Sequence, residues 1–84
     1  VNKLRITRYE RMIWRFAELL DDGHYPRRAF ALSKEMDREA ERIGAALADE
    51  LERRIGAIIV IARKYGFDLN TAHRYYRLLK AVPR

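Results

Sequence analysis

The sequence predicts an all-α domain whose last two helices meet at a glycine corner. Three observations carry that prediction. Apolar residues recur at steps of three and four from Tyr9 to Leu79, which is the period of a helix face and not of a strand. Only 4 glycines and 2 prolines interrupt the 84 residues, so helices joined by short turns are expected. An apolar share of 49% argues against disorder, and a charged share of 36% leaves enough polar surface for solubility.

Taken in order, residues 1–7 form a basic arm in which Lys3 and Arg5 can touch phosphates, as can Arg8 beside it. Thr7-Arg8-Tyr9-Glu10 has the Ser/Thr-x-x-Glu form of a capping box, so a helix begins near Arg8. Tyr9, Met12 or Ile13, Phe16, Ala17, Leu19 and Leu20 give it an apolar face, with Trp14 expected in the core or a dimer interface. Asp21-Asp22-Gly23 closes it, and the helix is placed at 8–20. His24-Tyr25-Pro26 reads as a turn, with Pro26 suited to the first position of a short helix over 26–32. That helix turns Ala29, Phe30 and Leu32 inward. Ser33 is then the N-cap of a longer helix over 34–54.

An apolar stripe through Met36, Ala40, Ile43, Leu47, Leu51, Ile55, Ile58, Ala62 and Tyr65 continues beyond that point. Unbroken from 34 to 65 it would be about 48 Å long at 1.5 Å per residue, which is long for a domain this small. The weak points are Gly44 and Gly56, and the break is expected near Arg54–Ala57, giving a further helix over 57–65. Ile58 to Ile61 are apolar all round, which implies burial on more than one side. Gly66 suits the left-handed conformation that ends a helix, Phe67 plugs the corner, and Asp68 or Asn70 caps a last helix over 69–81. On it Leu69, Ala72, Tyr75 or Tyr76, and Leu79 face inward, while Asn70, His73, Arg74 and Arg77 point away.

The small Ala62, Gly66 four residues on, and apolar Ile61, Tyr65, Phe67, Ala72 and Tyr75 resemble the helix-turn-helix family of DNA-binding domains. The likeness spans about 20 residues, roughly a quarter of the chain. Gly66, Thr71, Arg74 and the closing Leu79-Lys80-Ala81-Val82-Pro83 are further similar to Trp-repressor-like regulators. So is Trp14-Arg15-Phe16 followed by Leu19-Leu20. The resemblance implies a small helical domain with a C-terminal helix-turn-helix, an intertwined or bundle-type homodimer, and sequence-specific binding of double-stranded DNA as a transcriptional repressor. Helix 69–81 enters the major groove, with Asn70, Thr71, His73, Arg74 and Arg77 on its first two turns and Lys80, Arg63 and Lys64 at phosphates. Arginine can pair with guanine, and asparagine with adenine, through two hydrogen bonds each. Dimerisation through helices 8–20 and 34–55 sets two such helices about 34 Å apart, one turn of duplex. Thr71 and Arg74 match residues of that family's tryptophan pocket. Tyr75, however, stands where the family has a glycine and fills the slot, so no cofactor is expected.

Charge fits a polyanionic partner, since 18 Lys and Arg against 12 Asp and Glu leave +6, and each phosphate contact releases counterions. An ordinary exposed basic face accounts for the same residues, and a helical-bundle interaction module is the first alternative. A second alternative is a helical enzyme similar to the chorismate mutases, with Arg53 and Lys64 three turns apart clamping a dicarboxylate. The chain lacks that family's glutamine and its early arginine, so no enzyme is expected. Cysteine is absent, which removes disulfides and thiolate metal sites. His24 and His73 have no ligand partners at metal spacing. No apolar run reaches the ~20 residues that cross a bilayer, and the N-terminal residues lack the core of a signal peptide. A soluble, cytoplasmic protein without a membrane partner is expected.

Overall fold

A computed structural model of the chain describes residues 7–21, 23 and 27–81. Residues 1–6 of the expected arm, the turn at His24-Tyr25-Pro26 and the closing Val82-Pro83 lie outside the described residues. Four helices follow one another, α1 (Arg8–Asp21), α2 (Arg27–Ile43), α3 (Ala45–Tyr65) and α4 (Leu69–Ala81), with no strand among the described residues. The all-α expectation holds. No described helix is long and apolar enough to cross a membrane.

The capping box is formed at the start of α1. Thr7 N–H donates to Glu10 Oε1 at 2.9 Å, and Glu10 N–H donates to Thr7 Oγ1 at 3.3 Å. From there α1 buries Tyr9, Met12, Ile13, Trp14, Ala17 and Leu19. It packs against each of the other three helices, while α3 packs against α2 and α4. The face expected to build a dimer is therefore used within the chain, against Leu51, Ile55, Ala62, Leu69, Ala72 and Tyr76 of one core.

Three boundaries differ from the sequence expectation. Ser33 does not start a helix. It sits inside α2, and its hydroxyl donates to Phe30 O at 2.8 Å, so the side chain is satisfied without breaking the backbone ladder. The predicted break near Arg54–Ala57 is absent, and α3 runs straight through Gly56. A helical glycine costs about 1 kcal/mol, which the burial of Leu51, Ile55 and Ala62 on either side outweighs. The break falls at Gly44 instead, at φ 102° and ψ 135°. That single residue ends one helix and starts the next, since its N–H donates to Ala40 O and its carbonyl accepts from Ala48 N–H. A side chain is strongly disfavoured at that φ, so glycine alone is at ease there.

The corner at Gly66 forms as expected. Gly66 is left-handed at φ 79°, its N–H donates to Arg63 O, and Phe67 N–H donates to Ala62 O at 2.8 Å. This pair of bonds is the Schellman arrangement. Asp68, not Asn70, caps α4, its Oδ1 accepting from Thr71 N–H at 2.7 Å. Phe67 does not plug the corner, because it is exposed, as are Phe30, Leu47, Ile61, Tyr65 and Leu79, all expected inside. The reason is shape. The fold is a flat slab of 40 × 34 × 18 Å, about two helices thick, so each helix keeps a flank with no second layer against it. Apolar side chains on the far side of α3 and α4 have no other described helix over them.

Candidate nucleic-acid interface

α4 is held to α1 by a buried clasp. Glu10 is 0% exposed. Besides capping its own helix, its carboxylate accepts a hydrogen bond from the Tyr76 hydroxyl and pairs with Lys80 Nζ at 3.1 Å. Burial pushes this carboxyl up, yet the bonds from Tyr76, Thr7 and Lys80 outweigh it and hold it below the usual range. Burial, with the bond to Glu10, pushes the Tyr76 hydroxyl well above its ordinary value. One acid thus fixes the start of α1 and the second half of α4 together.

A ring stack lies beside the clasp. Trp14 and His73 lie with centroids 4.8 Å apart and planes within 8°, and Trp14 also meets Tyr76 in a tilted contact. Desolvation lowers the His73 pKa, the nearby Arg77 charge lowers it further, and Glu18 partly opposes both. His73 is thus neutral near pH 7 and packed, not free. It does not point away, and this corrects its expected place among the groove-reading residues.

The other expected site residues divide between those used inside the fold and those left outside. Lys80 is taken by Glu10. Arg63 crosses to Asp21 Oδ1 at 2.6 Å and ties the end of α3 to the end of α1. Asn70, Thr71, Arg74 and Arg77 remain exposed on α4, and Lys64 is exposed at the end of α3, its Nζ 5.7 Å from the Tyr65 ring centre. Asp68 is held below the usual carboxylate range by the Thr71 N–H and hydroxyl, so the start of α4 is firmly capped.

The N-terminal half of α4 therefore presents Asn70, Thr71 and Arg74 outward, and its inward stripe is Leu69, Ala72 and Tyr76. α4 has one more property, which sets it apart among the described helices. It contains no carboxylate, whereas α1, α2 and α3 each carry several.

Compared with family models, curated proteins and solved structures, the chain matches none.

Two features of this site had no signal in the sequence beyond their local roles. The Thr7–Glu10 spacing marks a cap, but nothing in it announces a tyrosine 66 residues away. The Tyr75-Tyr76 pair left open which ring faces inward, and the structure places Tyr76 inside and Tyr75 outside. Arg53 and Lys64 of the enzyme alternative are both exposed on α3, three turns or about 16 Å apart along its axis. Among the described residues no group of acids and histidines could hold a metal ion.

Proposed function

We propose that the protein binds double-stranded DNA as a dimeric transcriptional regulator, with the N-terminal half of α4 in the major groove. The observation that carries this is the acid-free α4, which holds Asn70, Thr71, Arg74 and Arg77 in solvent on a helix anchored by its opposite face. A duplex meets only neutral and cationic groups along that helix, and the net +6 of the chain draws it in. The three-residue corner Gly66-Phe67-Asp68 between α3 and α4 is of the length that joins such helix pairs. Trp14, packed behind α4, and the Glu10 clasp keep the helix from rolling.

Roles follow from reach and chemistry. Arg74 takes guanine O6 and N7, Asn70 takes an adenine edge, and Thr71 offers its methyl to thymine. Arg77 and Lys64 take phosphates on either side. Arg63 and Lys80, already paired, contribute only to the field, and His73 supports the helix from beneath. No catalysis is proposed.

Fluorescence anisotropy on selected and random duplexes at two salt concentrations tests the proposal. Arg74→Ala should cost about 1–3 kcal/mol on the selected duplex and much less on the random one. Lys64→Ala should weaken both alike and reduce the salt slope by about 0.9. Equal, salt-independent failure to bind either duplex refutes it.

A further inference from the structure

We propose that a second copy of this chain covers the outer apolar face of α3 and α4, centred on Ile61, Tyr65, Tyr75, Leu78 and Leu79. The position of this face follows from the bonds to α1. On α3, Glu52 and Arg63 reach α1 through Tyr9 and Asp21, and helical periodicity turns Ile61 and Tyr65 to the opposite flank. On α4, His73, Tyr76 and Lys80 reach α1, and Tyr75 and Leu78 point the other way, with Leu79 at their edge. Both helices thus send apolar side chains to the side that no other described helix covers.

These five side chains, and Phe67 in the turn between the helices, are 47–66% exposed. Full burial of an aromatic ring removes about 150–250 Å² and of an aliphatic side chain on the order of 100 Å². At the observed exposures the face offers roughly 500 Å² of apolar surface. A standard interface takes about 800 Å² per partner, a little over half of it apolar, so the area fits one stable partner of the chain's own size.

The charge pattern selects a second copy. Across a two-fold axis the middle of the face meets itself, and any charge there would face its own kind. Ile61, Tyr65, Tyr75, Leu78 and Leu79 carry none. Cations beside the face stand at its rim, as Lys64 and Arg74 do, or are paired with an acid, as Lys80 is with Glu10 and Arg54 with Glu50. An 84-residue chain also buries a comparatively small share of its surface alone, and pairing supplies the missing layer.

Sedimentation equilibrium of the full chain without DNA, across the micromolar range, tests this. The expected mass is twice the 10.0 kDa of one chain. Leu78→Glu should weaken association by at least about 100-fold, because it buries a charge against its own copy. Its melting temperature at dilutions where both proteins are monomeric should stay that of the parent, since Leu78 is exposed in the single chain. Tyr65→Glu should do the same from the other helix. A one-chain mass throughout, or a dimer that both variants leave intact, overturns the proposal. Arg74→Ala separates it from DNA binding, because that variant should bind the selected duplex about 5- to 150-fold more weakly and keep the dimer.

Discussion

Removing one oxygen from Tyr76 should cost more than any other substitution of its size in this chain. Tyr76→Phe keeps the ring against Trp14 and deletes only the hydroxyl that donates to Glu10. The carboxylate stays buried, with Thr7 and Lys80 as its remaining partners. A hydrogen bond to a buried charge contributes about 1.5–3 kcal/mol, and a domain of this length has roughly 4–12 kcal/mol in all. The melting temperature should fall by about 6–24 °C, taking 4–8 °C per kcal/mol for a small domain. Tyr75→Phe is the control. Its hydroxyl is on the exposed face, and the change should stay within about 0.5 kcal/mol. Urea unfolding of both variants at pH 7, followed by circular dichroism, gives the comparison. The sign with pH is fixed too. The Glu10 carboxyl lies below its ordinary value in the fold, so its stabilisation is complete above the unfolded value near 4.3. It is lost as pH falls through the folded value. The penalty of Tyr76→Phe should therefore shrink in strong acid. Equal stability of the two phenylalanine variants at pH 7 would refute the clasp.

The two glycines of the middle helices should respond oppositely. Gly44→Ala should destabilise by more than about 1 kcal/mol, since φ is 102° there, whereas Gly56→Ala should stabilise by about 0.4–1 kcal/mol, because its Cβ meets nothing within 4 Å. Thermal melts decide it, and a stabilised Gly44→Ala would move the helix break. The lowered pKa of His73 means the neutral ring is favoured in the fold. Stability is then complete above the unfolded value near 6.5 and declines below it, by less than about 1.4 kcal/mol per pH unit, for a group only partly buried. Fluorescence of Trp14, the one tryptophan, should report that titration and lose it in His73→Phe; an unchanged titration would separate the two rings. Finally, a dimer joined through the second halves of α4 holds its two reading halves closer than the 34 Å of one duplex turn. Binding to duplexes with varied half-site spacing should peak below 10 base pairs, and a peak at 10–10.5 would place the two-fold axis elsewhere.

Much of the fold was legible because it depends on neighbours in sequence. The cap at Thr7–Glu10, the stop at Gly66 and the restart at Asp68 are each fixed by atoms three to five residues apart. The choice between Gly44 and Gly56 was not, because both sit in the same apolar stripe. What separates them is burial on other helices, where Ile55 is fully covered and Leu47 is half exposed. Expectations about apolar burial failed in one consistent direction. Ile61, Tyr65, Phe67 and Leu79 were expected inside because periodicity reports apolarity, and apolarity cannot say whether the covering layer belongs to the same chain. The cationic site narrowed for a related reason. Arg63, His73 and Lys80 have the residue types of a DNA contact, but Asp21, Trp14 and Glu10 claim them through contacts between residues 42 to 70 positions apart.

These claims on the cations sharpen the case for α4. A helix that reads bases must be held at a fixed depth and roll angle while its outer atoms stay free. Here the holding and the reading fall to different residues of one short helix. Tyr76 and Lys80 grip Glu10, and His73 lies on Trp14. Between those anchors, Asn70, Arg74 and Arg77 project to the other side. Had the anchoring been purely apolar, rotation by a fraction of a turn would exchange one greasy contact for another at little cost. A buried carboxylate with directional donors does not permit that, since turning α4 strands a charge out of water. Loosening the clasp should therefore reduce discrimination between selected and random duplexes even where the fold survives. A Tyr76→Phe protein, studied at a temperature where it is fully folded, should bind random DNA as before and selected DNA more weakly.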